Sequence, residues 1–213
     1  MKETIIDISR ILSPETAVWP GDTPFNLQTI MSRQNGDSVN LTTITLSTHT
    51  GTHVDAPIHF TNNGQTMEAV DLRPYWGLAQ VVTISKESGP VYARDFANYD
   101  LTRAPRLLVR TPAGNVPFTR FPETIPHPSP ELADYLGTLG ICLYGTDALS
   151  MDDIESETLP GHNAMLRNGI AILEGLDLRQ APDGQYELSA LPLKINGGDG
   201  SPVRAVLRPI KDI

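Results

Sequence analysis

The sequence predicts an α/β domain built on a mixed, strand-rich sheet, and three observations carry that prediction. Short apolar runs bounded by Gly and Pro recur along the chain, which is the pattern of strands. Two segments carry helix start and stop chemistry. Strands interleaved with so few helices argue for a mixed sheet. The length of 213 residues fits one domain over residues 1–213.

The elements follow in order. Thr4 to Ile8 is a short apolar strand. Asn40 to Thr48 alternates and is Thr-rich, so it reads as a strand with one polar face. Leu78 to Ser85 and Arg106 to Thr111 are strands between Gly and Pro punctuation. Phe121 to Pro130 (FPETIPHPSP) is the densest proline stretch and reads as an ordered loop, of the kind often found at functional sites or interfaces. Ser129-Pro130-Glu131 starts a helix, with an N-cap hydroxyl, a proline whose missing N–H costs nothing and an acid in the first turn; it runs to about Gly137. Ile141 to Tyr144 is a short strand. Leu159 to Asn168 is the second helix, with Pro160 at its start and Gly169 just past its end. Ile170 to Leu173 and Ala190 to Ile195 complete the set.

Charge and composition exclude several function classes. Asp and Glu outnumber Lys and Arg by 25 to 16, a formal charge of −9, so neither phosphate backbones nor anionic lipid attract the chain. No apolar run approaches the roughly 20 residues of a membrane span. MKETIIDIS has no secretory h-region, so the expected location is the cytoplasm. A single cysteine, Cys142, rules out an internal disulfide and a CxxC metal site; it sits in the apolar run ICLY and reads as an inert core residue. No GxSxG elbow presents Ser47 or Ser150 as a nucleophile.

The histidines carry the chemistry. Three of five fall in HTGTHVDAPIH, so His49, His53, Asp55 and His59 bring four metal-binding or proton-moving groups into eleven residues. On a helix, Asp55 would lie opposite His49 and His53. On an extended segment all four odd-numbered side chains share a face. A straight strand still separates His49 from His53 by about 13 Å, too far to share an ion. The segment must therefore bend, which Gly51 permits and Pro57 enforces by ending strand pairing. A second pair, His162 in a first helical turn and Glu174 closing the run GIAILEG, lacks an evident structural purpose. Three imidazoles and two carboxylates exceed a four-coordinate zinc site and suit two carboxylate-bridged metals, with His59 left over. His127, between prolines in a polar loop, reads as an ordinary loop histidine.

HTGTHVDAPIH resembles the HxGTHxDxPxH motif of the metal-dependent cyclase/hydrolase family, which includes the zinc-dependent kynurenine formamidases of bacteria. WPGDTPF, GTDALSMD, GIAILEGL and LPLKINGGDGSPVRAVLR are similar to the formamidase branch, so the likeness spans nearly the whole chain. The resemblance implies a compact three-layer β/β/α fold and a homodimer. It implies that His49, His53 and Asp55 hold one zinc, and that Asp55 and Glu174 bridge to a second bound also by His162; manganese is the other candidate metal. It implies His59 as general acid/base, Trp19 as a wall of the pocket for a small-molecule substrate, and hydrolysis of N-formyl-L-kynurenine in tryptophan degradation. One position departs: the family pattern expects a second His after His162, where this chain has Asn163.

Three other readings compete. A sister hydrolase would open a cyclic amide such as isatin, and the metal motif alone does not separate the two. A mononuclear iron oxygenase would use two His and one carboxylate, leaving the other donors idle. A non-catalytic metal-binding protein would have no need of His59.

Overall fold

The structure is a computed structural model describing residues 4–210; the two ends of the expected 1–213 domain, residues 1–3 and 211–213, lie outside the described residues. Its strands are β1 (Ile6–Asp7), β2 (Asn26–Met31), β3 (Leu41–Thr45), β4 (His53–Asp55), β5 (Trp76–Thr83), β6 (Gly89–Val91), β7 (Arg106–Arg110), β8 (Pro126–Pro128), β9 (Leu143–Thr146), β10 (Ala171–Glu174), β11 (Gly184–Ser189), β12 (Gly200–Pro202) and β13 (Val206–Pro209); the helices are α1 (Pro130–Thr138) and α2 (Pro160–Arg167). Nine strands form one sheet in the order β1-β13-β11-β5-β7-β9-β10-β4-β12. The central strands β5, β7, β9 and β10 run parallel and the flanking pairs antiparallel. The crossovers β7→β9 and β9→β10 carry α-helices, whereas the parallel pair β5–β7 is joined through β6 and 3-10 turns.

Side chains of the central strands alternate between two cores. Leu107, Val109, Tyr144 and Ile172 face α1 and α2, where Leu132, Leu136, Ala164 and Met165 bury against them. Leu108, Leu143 and Leu173 face the other way, onto Ile8, Val54, Leu188 and Leu207. Burial on both faces explains why these strands read as continuous apolar runs. The sheet curls around this second core: Ser9 bridges to Leu176 and the amide of Asp177 donates to Ile8 O at 2.8 Å, bringing the β1 edge to the chain leaving β10. The curled sheet supplies two β layers and the helices the third.

Both helices start as their sequences dictate. Ser129 Oγ accepts from Leu132 N at 3.1 Å and Pro130 opens α1; Pro160 opens α2. Gly169, with φ 66°, follows the end of α2.

Four sequence readings need correction. Ala190 to Ile195 is not a strand: pairing stops at Ser189, Pro192 has no amide to donate, and the amide of Ala190 turns to Tyr75 O. The strand there is β11, whose Gly184 start and polar Gln185 and Glu187 masked it. The Thr-rich segment shrinks to β3, exposed along its whole length and paired only with β2 in a separate ribbon. The proline loop contains a strand, β8, parallel to β6. Cys142 is half-buried rather than a core residue.

Candidate metal centre

The centre forms where β4 and β10 meet. Their antiparallel register sets Glu174 directly opposite His53, and β12 sets Gly200 opposite Asp55. Directly paired residues project side by side from one face, so His53, Asp55 and Glu174 converge, all three buried. His49 reaches them from the turn before β4. That turn needs Gly51 at φ 72°, and Gly175 passes so close that a Cβ there would lie 2.2 Å from Gly51 O. His59 arrives from the single 3-10 turn Pro57–His59. His162 arrives from the first turn of α2. The segment thus bends around a centre. His127 lies on β8, away from it.

Hydrogen bonds set which nitrogen of each histidine faces inward. His53 Nδ1 lies 3.1 Å from Gly51 O and donates to it, which turns Nε2 inward, 3.5 Å from Asp55 Oδ1 and 3.3 Å from Glu174 Oε2. His162 Nδ1 donates to Asp152 Oδ2 at 2.6 Å, which aims Nε2 at Asp55 Oδ2 (3.5 Å) and Glu174 Oε1 (3.6 Å). The sequence reading missed Asp152. Its buried carboxylate also accepts from the amides of Gly161 and His162 at 2.6 and 3.0 Å, so it caps α2 from a distance while orienting the His162 ring. His49 lies between two carboxylates, Nδ1 at 3.0 Å from Asp55 Oδ1 and Nε2 at 3.2 Å from Asp199 Oδ2. Asp199 was missed too; its backbone position depends on the β4–β12 pairing, which local sequence does not announce.

Electrostatics demand cations here. Asp55 Oδ2 and Glu174 Oε1 are buried with no hydrogen-bond partner among the described residues, an expensive arrangement for carboxylates unless a cation sits against them. Burial would push His49 and His162 down. Carboxylates outweigh it, lifting His49 to about 9 through Asp55 and Asp199, and His162 to about 10 through Asp152, Asp55 and Glu174. His59 moves the other way: burial and the neighbouring rings of His49 and His162 lower it despite the pull of Asp55. The donors fall into sets within reach of one ion, His53–Asp55–Glu174 and His49–Asp55–His59, so contact distance alone also admits His59 as a ligand.

A cavity of about 460 Å³ opens over these groups. Trp19 and Phe121 form its aromatic side, edge to face at 5.2 Å between centroids, and Trp19 remains 39% exposed. Ser47 and Ser150 also line it, and among the described residues no Lys or Arg does. Asn163 does not face the centre. Its exposed amide donates to Thr158 O and Leu159 O at 3.1 and 2.8 Å, bracing Leu159, the one non-glycine residue with positive φ (46°) among the described residues. His49, His53, Asp55, His59, His162 and Glu174 lie together around this centre.

A curled mixed sheet whose strand ends gather imidazoles and orphaned carboxylates into a covered cavity defines a metal-binding hydrolase. The family model described as "Putative cyclase" matches residues 6–153, and the chain belongs to that family. It is 46% identical over 210 residues to the kynurenine formamidase of Salinibacter ruber, covering 98% of this chain and 99% of the relative. It is 47% identical over 203 residues to that of Geobacillus thermodenitrificans, covering 95% and 96%. Among solved structures it is similar to "predicted metal-dependent hydrolase from Bacillus stearothermophilus" (TM-score 0.81, 26% identity, 97% and 98% covered). The isatin hydrolase A of Labrenzia aggregata shares the fold (TM-score 0.78, 24% identity, 96% and 93% covered).

Proposed function

We propose that this chain hydrolyses N-formyl-L-kynurenine to L-kynurenine and formate, using two zinc ions per chain. The observation that carries the reading is end-to-end identity of 42–47% with kynurenine formamidases, in a chain whose His and carboxylate donors converge beneath an aromatic-walled cavity. His49, His53 and Asp55 would hold one ion and His162, Asp55 and Glu174 the other, which would give the orphaned oxygens of Asp55 and Glu174 their partners. When bound, such ions supply Lewis acidity toward the formyl carbonyl and bring the acidity of water near neutral pH. His59, 33% exposed in its side chain at the cavity wall, gives a proton to the departing aniline nitrogen. Trp19 stacks on the aryl ring.

The single domain works as a homodimer in the cytoplasm. The β2–β3 ribbon supports the dimer: Leu27, Ile30, Leu41 and Ile44 are all about half exposed, and a two-stranded ribbon is marginal without further packing. The test is N-formyl-L-kynurenine turnover, followed by absorbance, before and after chelation and zinc restoration. Turnover that chelation abolishes and zinc restores is the expected result. Zinc-replete, folded protein without turnover would overturn the reading and direct attention to isatin-like cyclic amides with manganese.

A further inference from the structure

Asp199 belongs to none of the donor sets, yet the fold is arranged to bring it to them. Its carbonyl accepts the amide of Ala56 at 2.9 Å, which fixes its backbone one residue from Asp55. The next residue, Gly200, packs so tightly on His49 that a Cβ would lie 2.7 Å from that ring's Cε1. Thr48 Oγ1 donates to Asp199 Oδ1 at 2.7 Å and holds the carboxylate in one orientation. The other oxygen, Oδ2, then faces two imidazoles at once: His49 Nε2 at 3.2 Å and His59 Nδ1 at 3.5 Å. Those two rings lie nearly face to face, 3.9 Å between centroids and tilted by 32°. A carboxylate that collects the outward N–H of a ligand imidazole strengthens that ligand, and one that collects Nδ1–H of an acid/base imidazole leaves its Nε2 to exchange the proton.

We propose that Asp199 is a positioning residue that serves both histidines: it steadies His49 as a ligand and fixes His59 in the tautomer and orientation that present Nε2 to the substrate's leaving nitrogen. The proposal rests on the formamidase reading for its second half only. No bond to Asp199 is made or broken; His59 Nε2 takes a proton from the attacking water and passes it to the aniline nitrogen as the C–N bond breaks, while Nδ1–H keeps its hydrogen bond to Asp199.

The experiment uses full-length zinc-loaded protein and the variants Asp199→Asn, Asp199→Glu and Thr48→Val. Zinc affinity is measured by competition with a chromophoric chelator. Kinetics are then measured at saturating zinc on N-formyl-L-kynurenine, formanilide and p-nitroformanilide. For Asp199→Asn the expected results are a folded protein still holding two zinc ions at saturation, zinc affinity weakened about tenfold, and kcat on formanilide lowered about 10- to 100-fold with KM little changed. The loss should shrink on p-nitroformanilide, whose departing nitrogen needs little protonation; a merely structural lesion would lower all substrates alike. Asp199→Glu should recover part of the rate and Thr48→Val should fall between. Unchanged zinc affinity and kcat in Asp199→Asn would overturn the proposal, and an equal loss on both anilides would overturn the His59 half. If Asp199→Asn fails to fold, Thr48→Val decides by the same leaving-group comparison. Wild-type protein inert on every formamide would refute the formamidase reading instead, and zinc affinity would then judge Asp199 alone.

Discussion

His59 and His162 carry the same side chain and are placed by their neighbours in opposite surroundings. Asp152 accepts the Nδ1–H hydrogen bond of His162 and turns Nε2 toward two buried carboxylates, the orientation the proposed ligand role requires. The His59 side chain is a third exposed, stacks on His49 and has Asp199 as its nearest carboxylate in an ion pair, surroundings that suit the proposed acid/base role. Replacing His59 by Asn should lower kcat by about 10² to 10⁴ while zinc content by mass spectrometry stays at two per chain; loss of zinc would make His59 a ligand. Replacing Asp152 by Ala should weaken zinc binding about 10- to 100-fold and cost about 1 kcal/mol in urea unfolding, because ring orientation and helix cap fail together. The HxxxHxD…H spacing and the His162–Glu174 pair were legible because metal-donor residues in such density have few other uses. Asp152 and Asp199 were not, because an aspartate in a loop carries no periodicity, and its partner is chosen by sheet pairing between residues far apart in sequence.

Elements position these groups through close backbone approach. Gly51 and Gly175 touch where the turn before β4 crosses the end of β10, both with positive φ. Gly175→Ala would add a left-handed conformation disfavoured for alanine, worth about 1–3 kcal/mol, and a Cβ 2.2 Å from Gly51 O. Urea unfolding should show a loss at least that large, with zinc affinity falling as His53 and Glu174 separate. The helices were readable from Ser129, Pro130, Pro160 and Gly169 because capping is local chemistry. The central strands were readable because burial on both faces makes them apolar throughout. β4, β11 and β12 were not: they are short, polar or glycine-led, and pair because of distant partners rather than their own propensity. Asn163 shows a local departure absorbed locally, bracing Leu159 rather than meeting the metals.

Four carboxylates, Asp55, Asp152, Glu174 and Asp199, set the proton affinity of the histidines at the centre. Protons and metals compete for His49 and His162, whose values in the protein alone are about 9 and about 10. A raised imidazole pKa means the folded chain holds protons that the unfolded chain, near 6.5, releases. That stabilisation is complete below the unfolded value and fades as pH rises through the folded ones. Metal-stripped protein should therefore lose thermal stability between about pH 7 and about pH 10, and zinc should restore it most at the alkaline end. Thermal melts across that range, with and without zinc, check this; a flat metal-free profile would contradict it. The central claim, that one cavity holds two metals and uses them on an aryl formamide, is tested most directly by adding zinc stepwise to metal-stripped protein and recording N-formyl-L-kynurenine hydrolysis at each step. Activity should rise and break at two equivalents per chain; a break at one equivalent, or full zinc occupancy without hydrolysis, would contradict it.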